Sequence, residues 1–154
     1  MSDDFVPASF RVVGDAAAWA RSHPAYFFNE HEPRREQIEQ RLEQGARAGG
    51  ALDVALIRCG AWSVVGSRRD WFNNRLVPLT DDDAFERPRA FPELGVNGVQ
   101  GEFVVGAFAR AAFTADSRGI RTVRGDVSQD DAVLDILRQH PEWMRAVAFF
   151  LTES

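Results

Sequence analysis

Lysine is missing altogether: all 18 basic residues of the 154 are arginine. The absence excludes several chemistries. A Walker A phosphate cradle needs a lysine that reaches the β- and γ-phosphates. Schiff-base and pyridoxal enzymes need a lysine amine. A nuclease built on two carboxylates and a lysine is excluded as well. A coding bias toward GC-rich codons, in keeping with the many Ala, Gly and Arg residues, accounts for the pattern.

Cysteine is almost as scarce. Cys59 is the single one, so neither an intramolecular disulfide nor a cysteine-rich zinc site can form. Nothing demands an oxidising compartment. Long hydrophobic runs are also lacking. Residues 103–109 and 146–151 are the longest, far short of the ~20 residues of a membrane span. The acidic start Met1-Ser2-Asp3-Asp4 has no positive n-region of the signal-peptide kind. The expectation is a cytoplasmic protein without a membrane partner.

What is present suits a folded chain. A composition 45% hydrophobic and 27% charged is near the globular average, and 12 Phe and four Trp supply core material that disordered chains lack. The length fits one domain spanning 1–154. The formal charge of −5 argues against non-specific nucleic-acid binding, which depends on cations meeting phosphates.

Patterning sets out a series of elements. Residues 5–13 read as a ragged strand or extended arm, and 16–22 as a short helix. Pro33 suits the first position of a second helix running to Ala48, with Ile38, Leu42 and Gly45-Ala46 as its apolar stripe and Gly49-Gly50 as its stop. Leu52, Val54 and Leu56 alternate with Asp53 and Ala55, and after the turn Cys59-Gly60-Ala61 a return strand carries Trp62, Val64 and Val65. Residues 76–79 read as a short edge strand and 80–83 as an acidic turn. From 85 to 92 prolines forbid regular structure. The apolar, alanine-rich stretch from Glu102 to Phe113 reads as a buried central helix. A strand at 120–124, a helix after Ser128 and a final strand at 145–151 complete the order. The fold expected is α+β, an antiparallel sheet packed on a helix layer.

Each candidate site has a structural explanation beside it. His23 and His140 precede prolines at helix ends, where capping explains them. His31 has too few potential ligands nearby for a metal site. Gly95, Gly98 and Gly101 do not form a dinucleotide fingerprint. Close packing through Gly98, Gly101 and Gly106 explains them, with Glu102 satisfying the helix N–H groups itself. Asp81-Asp82-Asp83 lacks the spacing of a calcium loop. Cys59 reads as a small apolar filler. No metal or cofactor is expected.

The segment densest in interaction chemistry runs from Ser67 to Arg75. Arg68, Arg69, Asp70, Trp71, Asn73, Asn74 and Arg75 are its candidate binding residues. Trp and Arg dominate binding hot spots, and Arg clamps carboxylates or phosphates in a fork. The structural alternative has Trp71 and Phe72 anchoring the loop while the charges face water. The functional expectation is a non-catalytic intracellular protein-binding domain, for example a bacterial immunity-type inhibitor of a basic toxin or nuclease. Acidic charge steers such a binder to a basic target. The alternative is a small enzyme or ligand-binding domain with Arg68, Arg69, Asp70 and Glu102 around a pocket. A purely structural homo-oligomer subunit is a third reading.

Overall fold

The computed structural model describes residues 20–21, 34–73, 80–86, 100–125 and 131–151. The strands expected at 5–13 and 76–79 lie outside these residues. So do His23, His31, Gly95, Gly98 and most of the first helix, of which Ala20 and Arg21 are helical.

Helix α1 spans Arg35–Ala48. Arg34 is its N-cap, and the Gln37 side chain accepts the Arg34 N–H at 2.8 Å. Its buried stripe is Ile38, Leu42, Gly45 and Ala46, as the spacing predicts, with Glu39 added. Gly50, at φ +93°, turns the chain out of the helix. The next strand, β1, is Ala55–Cys59, three residues later than the alternation predicts. Leu52 instead sits in a turn, 83% exposed. The helix exit causes the shift: Ala51 N–H bonds back to Ala46 O, and Val54 N–H to Ala51 O, so 51–54 close on themselves. Strand β2 is Trp62–Ser67. Cys59 faces Trp62 across a two-residue turn that begins with Gly60 at φ +59°.

Two further expectations are corrected. The acidic stretch after Thr80 is the start of a helix, α2 (Asp81–Glu86), and not a turn. Thr80 caps it through Oγ1 to Asp83 N–H at 3.0 Å, and acids in the first turn suit the positive end of the helix dipole. The apolar stretch 102–113 is not one helix. It divides into α3 (Gly101–Phe108) and β3 (Ala111–Asp116). Ala109, at ψ 144°, leaves the helical region, and Arg110 N–H bonds to Phe150 O at 2.8 Å. Strand pairing on both sides outweighs the helical leaning of Ala. Strand β4 (Gly119–Arg124), helix α4 (Asp131–Gln139) and strand β5 (Arg145–Phe150) follow.

The strands form one antiparallel sheet in the order β1-β2-β5-β3-β4. Side chains alternate across it. Val65, Ala112, Val147 and Phe149 belong to the core under α1 and α3, with Leu42, Phe103 and Val104. Trp62, Val64, Phe113 and Ala148 point the other way, toward Val133 and Ile136 of α4. The fold is α+β, and α4 adds a cover on the second face.

The expected close approach of glycines is present. A Cβ on Gly101 would lie 2.8 Å from the Leu42 backbone nitrogen, and one on Gly106 would lie 2.2 Å from the Phe85 carbonyl oxygen. Among the described residues, no helix is long and apolar enough to cross a membrane.

Candidate functional site

Strand β2 ends at Ser67, and short-range hydrogen bonds shape the chain beyond it. Asp53 accepts from the Ser67 hydroxyl and, at 3.2 Å, from Arg68 N–H. The Ser67 hydroxyl oxygen accepts from Arg69 N–H at 3.0 Å. The Ser67 hydroxyl holds the Asp53 carboxyl below its ordinary range. Asp70 then folds the loop on itself. Its Oδ1 accepts from Phe72 N–H at 3.0 Å and its Oδ2 from the Asn73 amide at 3.2 Å. This is the local bond that makes Asp favourable in turns.

Two inward anchors fix the loop. Trp71 and Phe72 are fully buried and meet edge to face, 5.9 Å apart. The Trp71 indole N–H donates to Glu102 Oε2 at 2.8 Å. Glu102 is itself fully buried, and its Oε1 has no hydrogen-bond partner. It therefore serves the tryptophan, and not the helix N–H groups it was expected to satisfy. A Cβ on Gly49 would come within 2.9 Å of the Trp71 Cβ and carbonyl oxygen, so the glycine that stops α1 also lets the Trp71 backbone pass close by.

The second anchor is a charge network. Arg145, 2% exposed at the start of β5, forks onto Asp70 with Nε–Oδ1 at 2.9 Å and Nη2–Oδ2 at 3.0 Å. Its Nη1 reaches Asp81 at 3.1 Å and Thr114 Oγ1 at 2.9 Å, and its Nη2 reaches Asp116 at 3.4 Å. The guanidinium lies 3.8 Å over the Phe72 ring. Arg118 pairs with Asp116 at 2.7 Å, and Arg121 pairs with Asp82. Burial opposes ionisation of Asp116, but Arg118 and the charge of Arg145 hold its carboxyl below the ordinary range. With these cations engaging Asp70, Asp81, Asp82 and Asp116, the network acts as a clamp on the loop.

The seven predicted residues thus divide. Arg68, Arg69 and Asn73 are exposed, Asp70 and Trp71 are anchors, and Asn74 and Arg75 lie outside the described residues. Trp71, a candidate binding residue, lies in the core with Phe72, as the structural alternative has it. Of the residues of the alternative reading, Arg68 and Arg69 are exposed, Asp70 is half-buried and Glu102 is enclosed. Arg145 was not singled out from the sequence. Its partners come from 75, 64 and 29 residues away, so no local spacing signals it.

The loop has an apolar neighbour. Met144 N–H bonds to Ser67 O at 2.8 Å, which brings the approach to β5 alongside the base of the loop. Met144 is 44% exposed and Ile120 50% exposed. His140 stacks on Trp143, with ring centres 4.2 Å apart, and the two line a cleft of about 300 Å³ with Ile120 and Leu137. His140 Nδ1 lies 3.2 Å from Glu142, whose carboxyl is held low by its own backbone N–H and by His140. Cys59 ends β1 and packs against the cluster under α4. Among the described residues, no group of three or more His, Cys, Asp or Glu could hold a metal ion.

Comparison with protein-family models, curated proteins and solved structures finds no match.

Proposed function

We propose that this chain is a non-catalytic protein-binding domain that meets its partner through Arg68, Arg69 and Asn73, with Trp143, Met144 and Ile120 alongside. The observation that carries the reading is the division of the loop. Its aromatic and acidic residues serve as anchors, while Arg68 and Arg69 are exposed and neither guanidinium forms a close ion pair among the described residues, although the charge of Arg68 acts on Asp53 and Glu142. A loop held on a rigid base loses little backbone freedom on binding. Arg, Trp and Met are also the residue types enriched at protein interfaces.

An immunity-type inhibitor of a basic bacterial toxin or nuclease, acting in the cytoplasm, is the concrete form of this reading. The charge of −5 attracts a basic partner at long range. Arg68 and Arg69 fix the register against the partner's carboxylates at contact.

The test is capture from a lysate of the natural source, with the wild type and the double variant R68E/R69E washed at low and at high salt. The expected result is one stoichiometric basic protein held by the wild type, weakened by salt and lost with the variant at unchanged melting temperature. Equal retention by both would move the contact away from this loop. No macromolecule bound at micromolar concentration would end the reading.

A further inference from the structure

A second cleft, of about 210 Å³, opens on the opposite side of the β3–β4 hairpin, between α2 and β4. Asp81 and Asp82 on its wall are engaged by Arg145 and Arg121. Arg124, also on the wall, makes no ion pair among the described residues. Its Nη1 donates to the Gly106 carbonyl at 3.3 Å, and its Nε is buried with no hydrogen-bond partner. Arg21 stands beside it, donating from Nη1 to the next carbonyl, Ala107, at 3.1 Å. Burial and the charge of Arg21 hold the Arg124 guanidinium below its ordinary value.

Two like charges therefore converge on the last turn of α3. The carbonyl end of the helix offsets part of that charge. Capping accounts for both Nη1 bonds, but it leaves the Arg124 Nε–H without an acceptor. A buried donor in that state is rare in folded proteins, and an ordered water, an ion or a ligand group is what would satisfy it.

We propose that Arg124, with Arg21 alongside, is an oxyanion site for a small ligand that enters this cleft. Arg124 lines the cleft, and a turn of its guanidinium toward it would present the now enclosed edge of Nε and the second Nη to an oxyanion in a two-bond fork. Asp82 and Glu86 on the same cleft repel a doubly charged group, so a carboxylate fits better than a phosphate dianion. The volume restricts the ligand to a few heavy atoms. This site is separate from the Arg68–Asn73 surface and stands whether or not a protein binds there.

The direct reading is the arginine Nε–Hε resonances of the ¹⁵N-labelled full chain, titrated with sodium acetate, sodium phosphate and matched sodium chloride. Arg124→Lys assigns the Arg124 signal. A saturable movement of that signal with acetate is expected, and Arg21→Ala should weaken the affinity by about two- to fivefold, the scale of an exposed charge contact. Saturation with phosphate alone keeps the oxyanion site and assigns it to phosphate. A signal that stays still, or moves equally with chloride, overturns the site. A response that Arg21→Ala leaves unchanged overturns the two-arginine arrangement. Melting temperature provides an independent reading: the rise with the anion should disappear in Arg124→Lys.

Discussion

Arg145 and Asp70 stand 75 residues apart in the chain and meet through two parallel hydrogen bonds, 2.9 and 3.0 Å long. The fork joins the start of a central strand to a surface loop. Thr114, Asp81 and Asp116 take the remaining bonds of the same guanidinium, so its charge is compensated although it is buried.

Removing one side of such a network leaves the other side buried and uncompensated. Arg145→Ala is expected to lower stability by about 3–5 kcal/mol, the usual loss when a buried ion pair is broken. Urea unfolding measures it. A loss under about 0.5 kcal/mol, the range of ordinary surface substitutions, would show that the clamp contributes nothing.

Glu39 sets an acid limit on stability. It is 3% exposed on α1 and takes a two-bond fork from Arg58, at 3.0 and 2.6 Å, with the Ser63 hydroxyl and Arg35 close by. Burial disfavours its charge, but Arg58 and Ser63 overcome this and hold the carboxyl below its ordinary 4.5. A depressed carboxyl contributes fully above its unfolded-state pKa and loses that contribution as pH falls through the folded-state value. Asp53 and Asp116 act in the same direction. Unfolding midpoints should therefore fall as pH drops below the carboxylate range. Glu39→Gln should be less stable at neutral pH, and its pH dependence should be flatter. Parallel curves for variant and wild type would exclude Glu39 as a contributor.

The indole of Trp71 is the one hydrogen-bond donor to Glu102 among the described residues. Trp71→Phe should cost about 1–3 kcal/mol for the buried Glu102 oxygen left without a donor, in addition to any packing loss. Glu102→Gln keeps an acceptor for the indole at the same position. Its stability is expected to stay close to the wild type, because the buried Trp71 donor keeps its bond. Melting curves of both variants decide this, and a strongly destabilised Glu102→Gln would contradict it.

Gly106 tests the contact between α2 and α3. An added Cβ would lie 2.2 Å from the Phe85 carbonyl oxygen, and a backbone atom cannot swing aside as a side-chain tip can. Gly106→Ala should cost at least the 1–3 kcal/mol typical of overpacking, although alanine favours helix. A gain in thermal stability would place the two helices further apart than this.

Much of the secondary structure was legible in the sequence, because local rules decide it. The stripe of Ile38, Leu42 and Ala46, the stop at Gly49-Gly50 and the turn at Gly60 need only neighbouring residues to act. The polar run 67–75 likewise marked where an exposed pair of arginines would be found. The tertiary structure decided what depends on distant partners. Residues 109–113 leave the helical course because β4 and β5 supply strand hydrogen bonds on both sides, and alanine has no strong preference to resist them. Trp71 turns inward because the Glu102 acceptor and the gap over Gly49 exist only once α1 and α3 have packed. Arg145 becomes a clamp, and Arg124 is left with a bare buried donor, for the same reason: the sign and number of charges are written in the sequence, but which charges meet is set by how the strands are ordered in the sheet.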